Sequence, residues 1–96
     1  MIEVKDEFLP LGSAVLLKDA TRPIVIIGYM IIEEGSTEIW DYMGCPYPIG
    51  VVGEDKKLLF KKNQIEKVLA TGYCDKEGQS FLKALKESEE QIKNGE

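Results

Sequence analysis

Cysteine thiols are the most reactive side chains that the sequence offers, and it contains two of them, Cys45 and Cys74. Histidine is absent, which removes the usual general base and the commonest metal ligand. The two cysteines do not form a CxxC pair, so neither a structural zinc site nor a thioredoxin-like redox pair is indicated. We therefore expect no metal site and no cofactor.

A catalytic thiol needs a cation or a helix N-terminus beside it to stabilise the thiolate. Gly44 and Pro46, the neighbours of Cys45, supply neither, so we interpret Cys45 as a small buried turn residue. Cys74 precedes a predicted helix whose dipole could favour a thiolate, but the sequence shows no partner base. We expect a protein without catalytic residues, and a thiol-dependent enzyme is the alternative.

Adjacent carboxylates are a second candidate for chemistry, at Glu33 with Glu34 and at Glu89 with Glu90. The first pair falls in a predicted turn and the second on an exposed helix, where charge is normally solvated. We do not expect them to act in acid–base catalysis. Glycine-rich phosphate-binding motifs are absent as well.

Lysines gather between residues 56 and 67, and we interpret the cluster as a solvated edge that resists aggregation. The alternative is a small barrel that binds nucleic acid or an anionic ligand through this cluster. The formal net charge of −5 disfavours that alternative. Acidic residues also dilute the cluster, and no aromatic residues interleave with it as stacking platforms. The lysines are Lys56, Lys57, Lys61, Lys62 and Lys67.

Glycine, proline and tyrosine are concentrated between Asp41 and Gly50. Two glycines permit positive φ and two prolines remove backbone donors, so we predict a shaped turn rather than a helix or an uninterrupted central strand. The aromatic residues around it would mostly be core in a small barrel. The alternative is an exposed platform, because tyrosine and tryptophan are enriched at protein contacts and proline lowers the entropy cost of binding. The candidate partner-binding residues are Trp40, Tyr42, Pro46, Tyr47 and Pro48.

The elements that position this segment are predicted to be short strands, because β-branched and apolar runs alternate with turn residues. Gly28 interrupts the densest run and predicts a bulge. Asp75 is a good N-cap for a C-terminal helix. We predict strands at residues 14–18, 24–33, 38–43, 49–52, 57–61 and 67–73, a helical or 3-10 turn at 63–66 capped by Asn63, and a helix at 76–92.

These elements predict a single α+β domain. We expect a strongly bent antiparallel sheet or an SH3-like small barrel of about five strands, followed by a helix whose last two turns are exposed. Hydrophobic residues make up 44% and charged residues 30% of the sequence, which is a globular composition. The expected parts are a lead-in at residues 1–9, a β-rich core at 10–74, and a helix and tail at 75–96 that packs through Phe81, Leu82 and Leu85.

The longest apolar run, residues 24–32, is much shorter than the roughly 20 residues that span a bilayer. The first residues also lack the basic region and apolar stretch of a secretory signal. We therefore expect a cytoplasmic protein with free thiols and no membrane partner.

The order of several motifs resembles a family of small proteins from Gram-positive bacteria that is catalogued as a domain of unknown function. Its genes tend to lie beside LXG-type toxins exported by type VII secretion. The motifs are the string from Leu9 to Leu17, Ile26-Ile27-Gly28, Asp41-Tyr42-Met43-Gly44-Cys45-Pro46-Tyr47-Pro48-Ile49-Gly50, Phe60, Ile65-Glu66-Lys67-Val68, Gly72-Tyr73 and the terminal acidic helix.

The resemblance implies a role in the cytoplasm as a non-catalytic accessory or chaperone-like factor. The expected partner is a protein, either an LXG-type toxin or a component of the secretion system, which would be engaged before export. The resemblance implies no catalytic residues.

Overall fold

Five antiparallel strands and a C-terminal helix form the fold of the computed structural model, which describes residues 7–51, 53 and 57–94. The strand order is β4-β3-β2-β1-β5, so the first four strands form a meander and the chain then returns to pair β5 with β1. The elements are β1 (Ala14–Leu17), β2 (Ile24–Ile32), β3 (Ile39–Pro46), β4 (Leu58–Phe60), a 3-10 turn (Lys62–Gln64), β5 (Ile65–Ala70) and α1 (Lys76–Asn94).

The α+β class is confirmed, and of the two predicted forms the structure has the open sheet. β4 and β5 lie at opposite edges, and no ladder joins them within the described ranges. The sheet is therefore not closed into a barrel. Parts of the prediction lie outside the described residues: the lead-in from 1 to 6, Val52, the turn at 54–56 with Lys56, and the tail at 95–96.

β2 is continuous because its β-branched residues suit a pleated, half-buried surface. Its pairing with β3 passes from Ile26 opposite Gly44 to Gly28 opposite Met43, which leaves Ile27 between the two pairs. This is the bulge predicted at Gly28. Further along, Met30 has a φ of 52°, a second departure from regular strand geometry.

The core fills the face of the sheet that the helix covers. Leu82 and Leu85 pack against it, as predicted, whereas Phe81 is exposed and touches only its margin, with its ring 5.9 Å from that of Tyr29. Phe8, from the predicted lead-in, lies inside the core. The buried cluster consists of Phe8, Val15, Ile24, Ile26, Tyr42, Phe60, Ile65 and Val68.

Asp75 caps α1 as predicted, because its Oδ1 accepts a hydrogen bond from the Gly78 N–H at 2.9 Å. The helix runs on to Asn94. The expectation that its last two turns are exposed is wrong at Glu89, which is 5% exposed. A charged side chain anchors this end of the helix where apolar residues are sparse.

The predicted turn from Asp41 to Gly50 is wrong in its first half, because β3 continues to Pro46. Gly44 faces the core, where an added Cβ would clash with Ile24 Cγ2 and lie 3.1 Å from Phe60 Cε1. β4 reaches only as far as Gly44, so the missing N–H of Pro46 costs no bond in the β3–β4 ladder. Close packing therefore requires the glycine, and the strand tolerates the proline.

Other predicted boundaries also shift. Residues 49–51 form no strand, contrary to the prediction for 49–52. Asn63 lies inside the 3-10 turn instead of capping it, and Gln64 Oε1 accepts a hydrogen bond from the Lys61 N–H at 2.8 Å. The last strand occupies residues 65–70 instead of 67–73.

The segment before β1 and the segment after β5 approach each other closely at Gly72. Its N–H donates to the buried Ser13 Oγ at 3.0 Å, and an added Cβ would clash with the Leu11 carbonyl oxygen. Only glycine permits this close approach of two backbone segments.

Candidate functional site

The structure separates the candidate aromatic residues. Trp40 and Tyr47 lie at opposite ends of β3, and seven residues of extended chain span about 23 Å. They cannot belong to one small contact surface.

Tyr42 belongs to the core, which was the first of the two interpretations of the aromatic residues, and not to an exposed platform. It is 0% exposed, and its ring contacts those of Phe8 and Phe60 with centroids 5.6 and 5.4 Å away. Its hydroxyl accepts a hydrogen bond from the Leu9 N–H at 2.9 Å. Burial raises the pKa of Tyr42 above its ordinary value. A partner bound to the surface cannot reach this side chain.

Trp40 is half-buried near the start of β3. The Lys61 Nζ lies 5.4 Å from the centre of its ring, and the same ammonium pairs with Glu38. The Trp40 Nε1 is buried without a hydrogen-bond acceptor among the described residues. Trp40 therefore presents little free surface.

Residues 47–51, which we call the apolar turn, follow the end of β3 and carry no charge. Three of the side chains are largely exposed: Tyr47 at 54%, Ile49 at 66% and Val51 at 52%. Pro48 is exposed too, while Pro46 just before the turn is half-buried. A cluster of exposed apolar side chains on a small domain commonly marks a contact surface.

Backbone hydrogen bonds hold the apolar turn in shape. The Tyr47 N–H donates to the Pro23 carbonyl oxygen at 3.1 Å, and the Gly50 N–H donates to that of Pro46 at 2.8 Å. The peptide bond between Tyr47 and Pro48 is cis, and Gly50 has a φ of 78°, which glycine adopts without strain. Beneath the turn, Cys45 is buried.

A second region consists of charged residues that the fold withdraws from solvent. Asp41, Lys62 and Glu89, which we call the buried ionic cluster, come from β3, the 3-10 turn and α1. Lys62 and Glu89 are buried, and Asp41 is half-buried. Lys62 is 7% exposed, and its Nζ lies 2.8 Å from Glu89 Oε1. Its backbone N–H donates to Asp41 Oδ2 at 2.8 Å. The ammonium also lies 3.9 Å from the centre of the Phe8 ring, where a cation is stabilised by the π electrons.

Burial is the main reason why the pKa of Asp41 is raised above its ordinary value. The negative charge of Glu89 and a hydrogen bond with its carboxyl group raise the pKa further, while the Lys62 N–H and ammonium act in the opposite direction. The Asp41 carboxyl group therefore holds a proton more readily than an ordinary aspartate does. A cavity of about 200 Å³ borders the pair and is lined by Met30, Thr37, Ile39, Asp41, Glu89 and Ile92.

Sequence reasoning missed this cluster because it assigned Lys62 to a solvated edge and Glu89 to an exposed helix face. Both assignments are wrong. One signal was available for Glu89, which lies four residues after Leu85 and seven after Leu82 and so falls on the same helical face as these two apolar anchors. Lys62 has no comparable local signal.

Of the other lysines in the cluster, Lys56 lies outside the described residues. Lys57 and Lys67 are exposed, whereas Lys61 is half-buried and pairs with Glu38. Two lysines of the cluster that was considered as an anion-binding site, Lys61 and Lys62, are therefore held in ion pairs with Glu38 and Glu89.

Cys74 is half-buried beside a groove of about 120 Å³ between the first turns of α1 and the segment before β1. Its thiol lies near Tyr29, whose hydroxyl donates to the Leu9 carbonyl oxygen. Burial, with a smaller effect from Cys74, raises the pKa of Tyr29 to about 12. Within the described ranges, no three His, Cys, Asp or Glu side chains are grouped to hold a metal ion.

Residues 8–81 match the family model described as domain of unknown function (DUF4176). The chain belongs to the DUF4176 family. The matched range includes all five strands, the apolar turn, Asp41 and Lys62, while Glu89 lies beyond it. Comparisons with curated proteins and with solved structures gave no match. Among the described residues, no helix is both long and apolar enough to cross a membrane.

Proposed function

We propose that this DUF4176 protein is a non-catalytic protein-binding accessory or chaperone-like factor that acts in the cytoplasm. Its partner is an LXG-type toxin or another component of type VII secretion, and the apolar turn is the surface that contacts it. The exposure of three large apolar side chains on an uncharged turn is the observation that carries this proposal.

The shape of the apolar turn supports binding in two ways. A tyrosine and two β-branched residues offer apolar area that loses little conformational entropy when a partner covers it. The two backbone hydrogen bonds and Pro48 hold the turn before a partner arrives, so little ordering is left to oppose association. The partner surface that fits it is an apolar one.

The class of partner rests on the family resemblance. The string from Asp41 to Gly50 carries the resemblance most specifically, and its second half forms most of the apolar turn. The resemblance implies genes that lie beside those of LXG-type toxins. A small domain with an exposed apolar surface can cover an apolar surface of such a protein before export.

The test is capture of a purified LXG-type toxin by the purified protein. We expect Tyr47→Ala to weaken binding at least about tenfold, because contact residues of this type contribute more than 1 kcal/mol when central. Ile49→Ser should act in the same direction. Circular dichroism of each variant checks that it is folded.

Tyr73→Ala is the matched control, since Tyr73 is 86% exposed and lies outside the apolar turn. It should bind as the wild type does. Equal binding by wild type, Tyr47→Ala and Ile49→Ser would exclude the apolar turn as the contact surface. Trp40→Ala distinguishes binding at the apolar turn from binding at the other end of β3. A partner that contacts only the apolar turn should bind this variant as tightly as the wild type.

A further inference from the structure

The sheet has a second face, opposite the core and α1, which we call the outer sheet face. An antiparallel sheet with one covered face commonly places polar residues on the other. In this protein β1 to β4 contain one charged residue, Asp41, and it belongs to the buried ionic cluster. The large side chains of the outer sheet face are Leu16, Val25, Ile27, Ile31, Met43 and Leu59.

The strand register shows which way these side chains point. Met43 lies opposite Leu59, and the next pair along the same two strands, Tyr42 with Phe60, is buried in the core. Successive residues of a strand point to opposite sides of a sheet, so Met43 and Leu59 point away from the core. None of the six described residues that define the outer sheet face packs against the core cluster.

The outer sheet face is level. Ala14, Val25 and Cys45 form a row of small side chains across three strands, and Ile27 at the bulge is 39% exposed. The grooves of about 120 and 200 Å³ described above are lined by other residues. Small ligands bind in concave sites, so this surface suits another level apolar surface better than a small molecule.

The edges of the sheet, in contrast, are protected against the addition of a strand. β4 has only three residues. β5 pairs irregularly with β1, with two shifts of register, and exposes Glu66 and Lys67. Short strands, bulges and charges are common means of preventing edge pairing. Lys67 lies opposite Leu16 and ends the apolar surface on this side. Association through the sheet therefore has to use its face.

The area of the outer sheet face is sufficient for a specific interface. Five strands about 4.8 Å apart and about 20 Å long cover about 500 Å² in one copy, and two such faces bury about 1,000 Å² together. This is the lower limit for specific interfaces, so we expect association to be reversible and to depend on concentration.

We infer that the outer sheet face is the contact surface of a symmetric homodimer, in which two copies pack sheet against sheet. A uniformly apolar surface matches a second copy of itself, as a two-fold interface requires. Homodimer interfaces are also more apolar than those between proteins that associate transiently. In the dimer the two sheets lie about 10 Å apart, with their strands within about 30° of each other.

Sedimentation equilibrium of the full chain over about 5–500 µM tests the dimer. The mean mass should rise with concentration towards twice the 10.8 kDa of one chain. Added salt should not weaken association, because the contacts are apolar. A protein that stays monomeric throughout this range would overturn the inference, and so would a dimer that dissociates as salt is added.

Ile27→Lys and Leu59→Lys should each weaken the dimer at least about tenfold, because each places a charge in an apolar interface from both copies. Tyr73→Lys is the matched control. It adds the same charge at a residue that is 86% exposed and lies outside the outer sheet face, so it should associate as the wild type does. Circular dichroism checks that the variants are folded. Equal association of wild type, Ile27→Lys and Leu59→Lys would contradict the inference.

A measurement on the wild type locates the interface even if the variants do not fold. In a mixture of ¹³C-labelled and unlabelled chains, isotope-filtered NOEs should connect the methyl groups of Val25, Ile27 and Met43 to the other copy. Intermolecular NOEs confined to α1 or to the apolar turn would overturn the inference.

The inference does not rest on the proposed function, and the two can fail separately. A dimer that forms but captures no LXG-type toxin would count against the proposed function alone. A monomer that captures the toxin would count against the dimer alone.

Discussion

The two ends of β3 depart from the usual rule that apolar residues are buried and charged residues are exposed. One end exposes apolar residues, and the other end buries charged ones. At one end the apolar turn exposes a tyrosine, an isoleucine and a valine. At the other end the buried ionic cluster buries a lysine together with a helical glutamate and half-buries an aspartate. Exposed apolar residues contribute little to the stability of an isolated domain. Buried charges contribute or cost much, according to whether they keep their partners.

This contrast assigns different roles to the two regions. Substitutions in the buried ionic cluster should change the free energy of unfolding, whereas those in the apolar turn should change association. Gly44 lies between the two regions in the sequence and packs against the core residues Ile24 and Phe60. Variants at these three places therefore test whether the contrast holds.

Lys62→Met should have the largest effect. It leaves the buried Glu89 without its closest cation, and breaking a buried pair in this way lowers the free energy of unfolding by about 3–5 kcal/mol. Urea denaturation at pH 7 measures the loss. Lys61→Met is the control, since Lys61 pairs with Glu38 near the surface and should lose at most about 1 kcal/mol. Equal losses would show that burial of the lysine does not matter.

Gly44→Ala should rank next, with a loss of about 1–3 kcal/mol. The added methyl group overpacks the site between Ile24 and Phe60 and approaches the Val25 carbonyl oxygen to 3.0 Å. Thermal unfolding followed by circular dichroism measures the change. A variant as stable as the wild type would mean that Ile24 and Phe60 can shift to accommodate the added methyl group at little cost in free energy.

Tyr42→Phe should have a smaller effect, about 1 kcal/mol, because the Leu9 N–H loses its acceptor while the ring packing stays. Tyr47→Phe is the matched control, since Tyr47 is an exposed tyrosine just after the end of the same strand. Its stability should change by no more than about 0.5 kcal/mol. Chemical denaturation of both variants compares them, and equal losses would contradict the assignment of Tyr42 to the core and Tyr47 to the surface.

The general fold could be predicted because local signals agree with it. The β-branched run of β2, the glycine at its bulge and the capping Asp75 each act within a few residues, so the sequence shows them directly. The extent of β3 could not be predicted in this way. Gly44 and Pro46 are strand breakers by local preference, and only the neighbouring strands show that neither breaks the ladder.

The candidate site was predictable only in part, for a related reason. Tyr42 and Tyr47 are the same residue type in the same segment, and the sheet register decides which one is buried. The buried ionic cluster depends on partners from three distant parts of the chain. Charge alone predicts exposure, and the opposing carboxylate and ammonium become visible only when the helix is docked.

The hydrogen bond between Ser13 and Gly72 joins residues 59 positions apart, and it has a consequence for how the chain folds as it is synthesised. The β1–β2–β3 meander can form from contacts that are close in sequence, but the outer edge of β1 stays without a neighbour until β5 has left the ribosome. Contacts with long sequence separation form slowly, and unpaired strand edges promote aggregation meanwhile. Nascent chains that stop before Ile65 should therefore aggregate, and the domain should fold only after β5 has been synthesised.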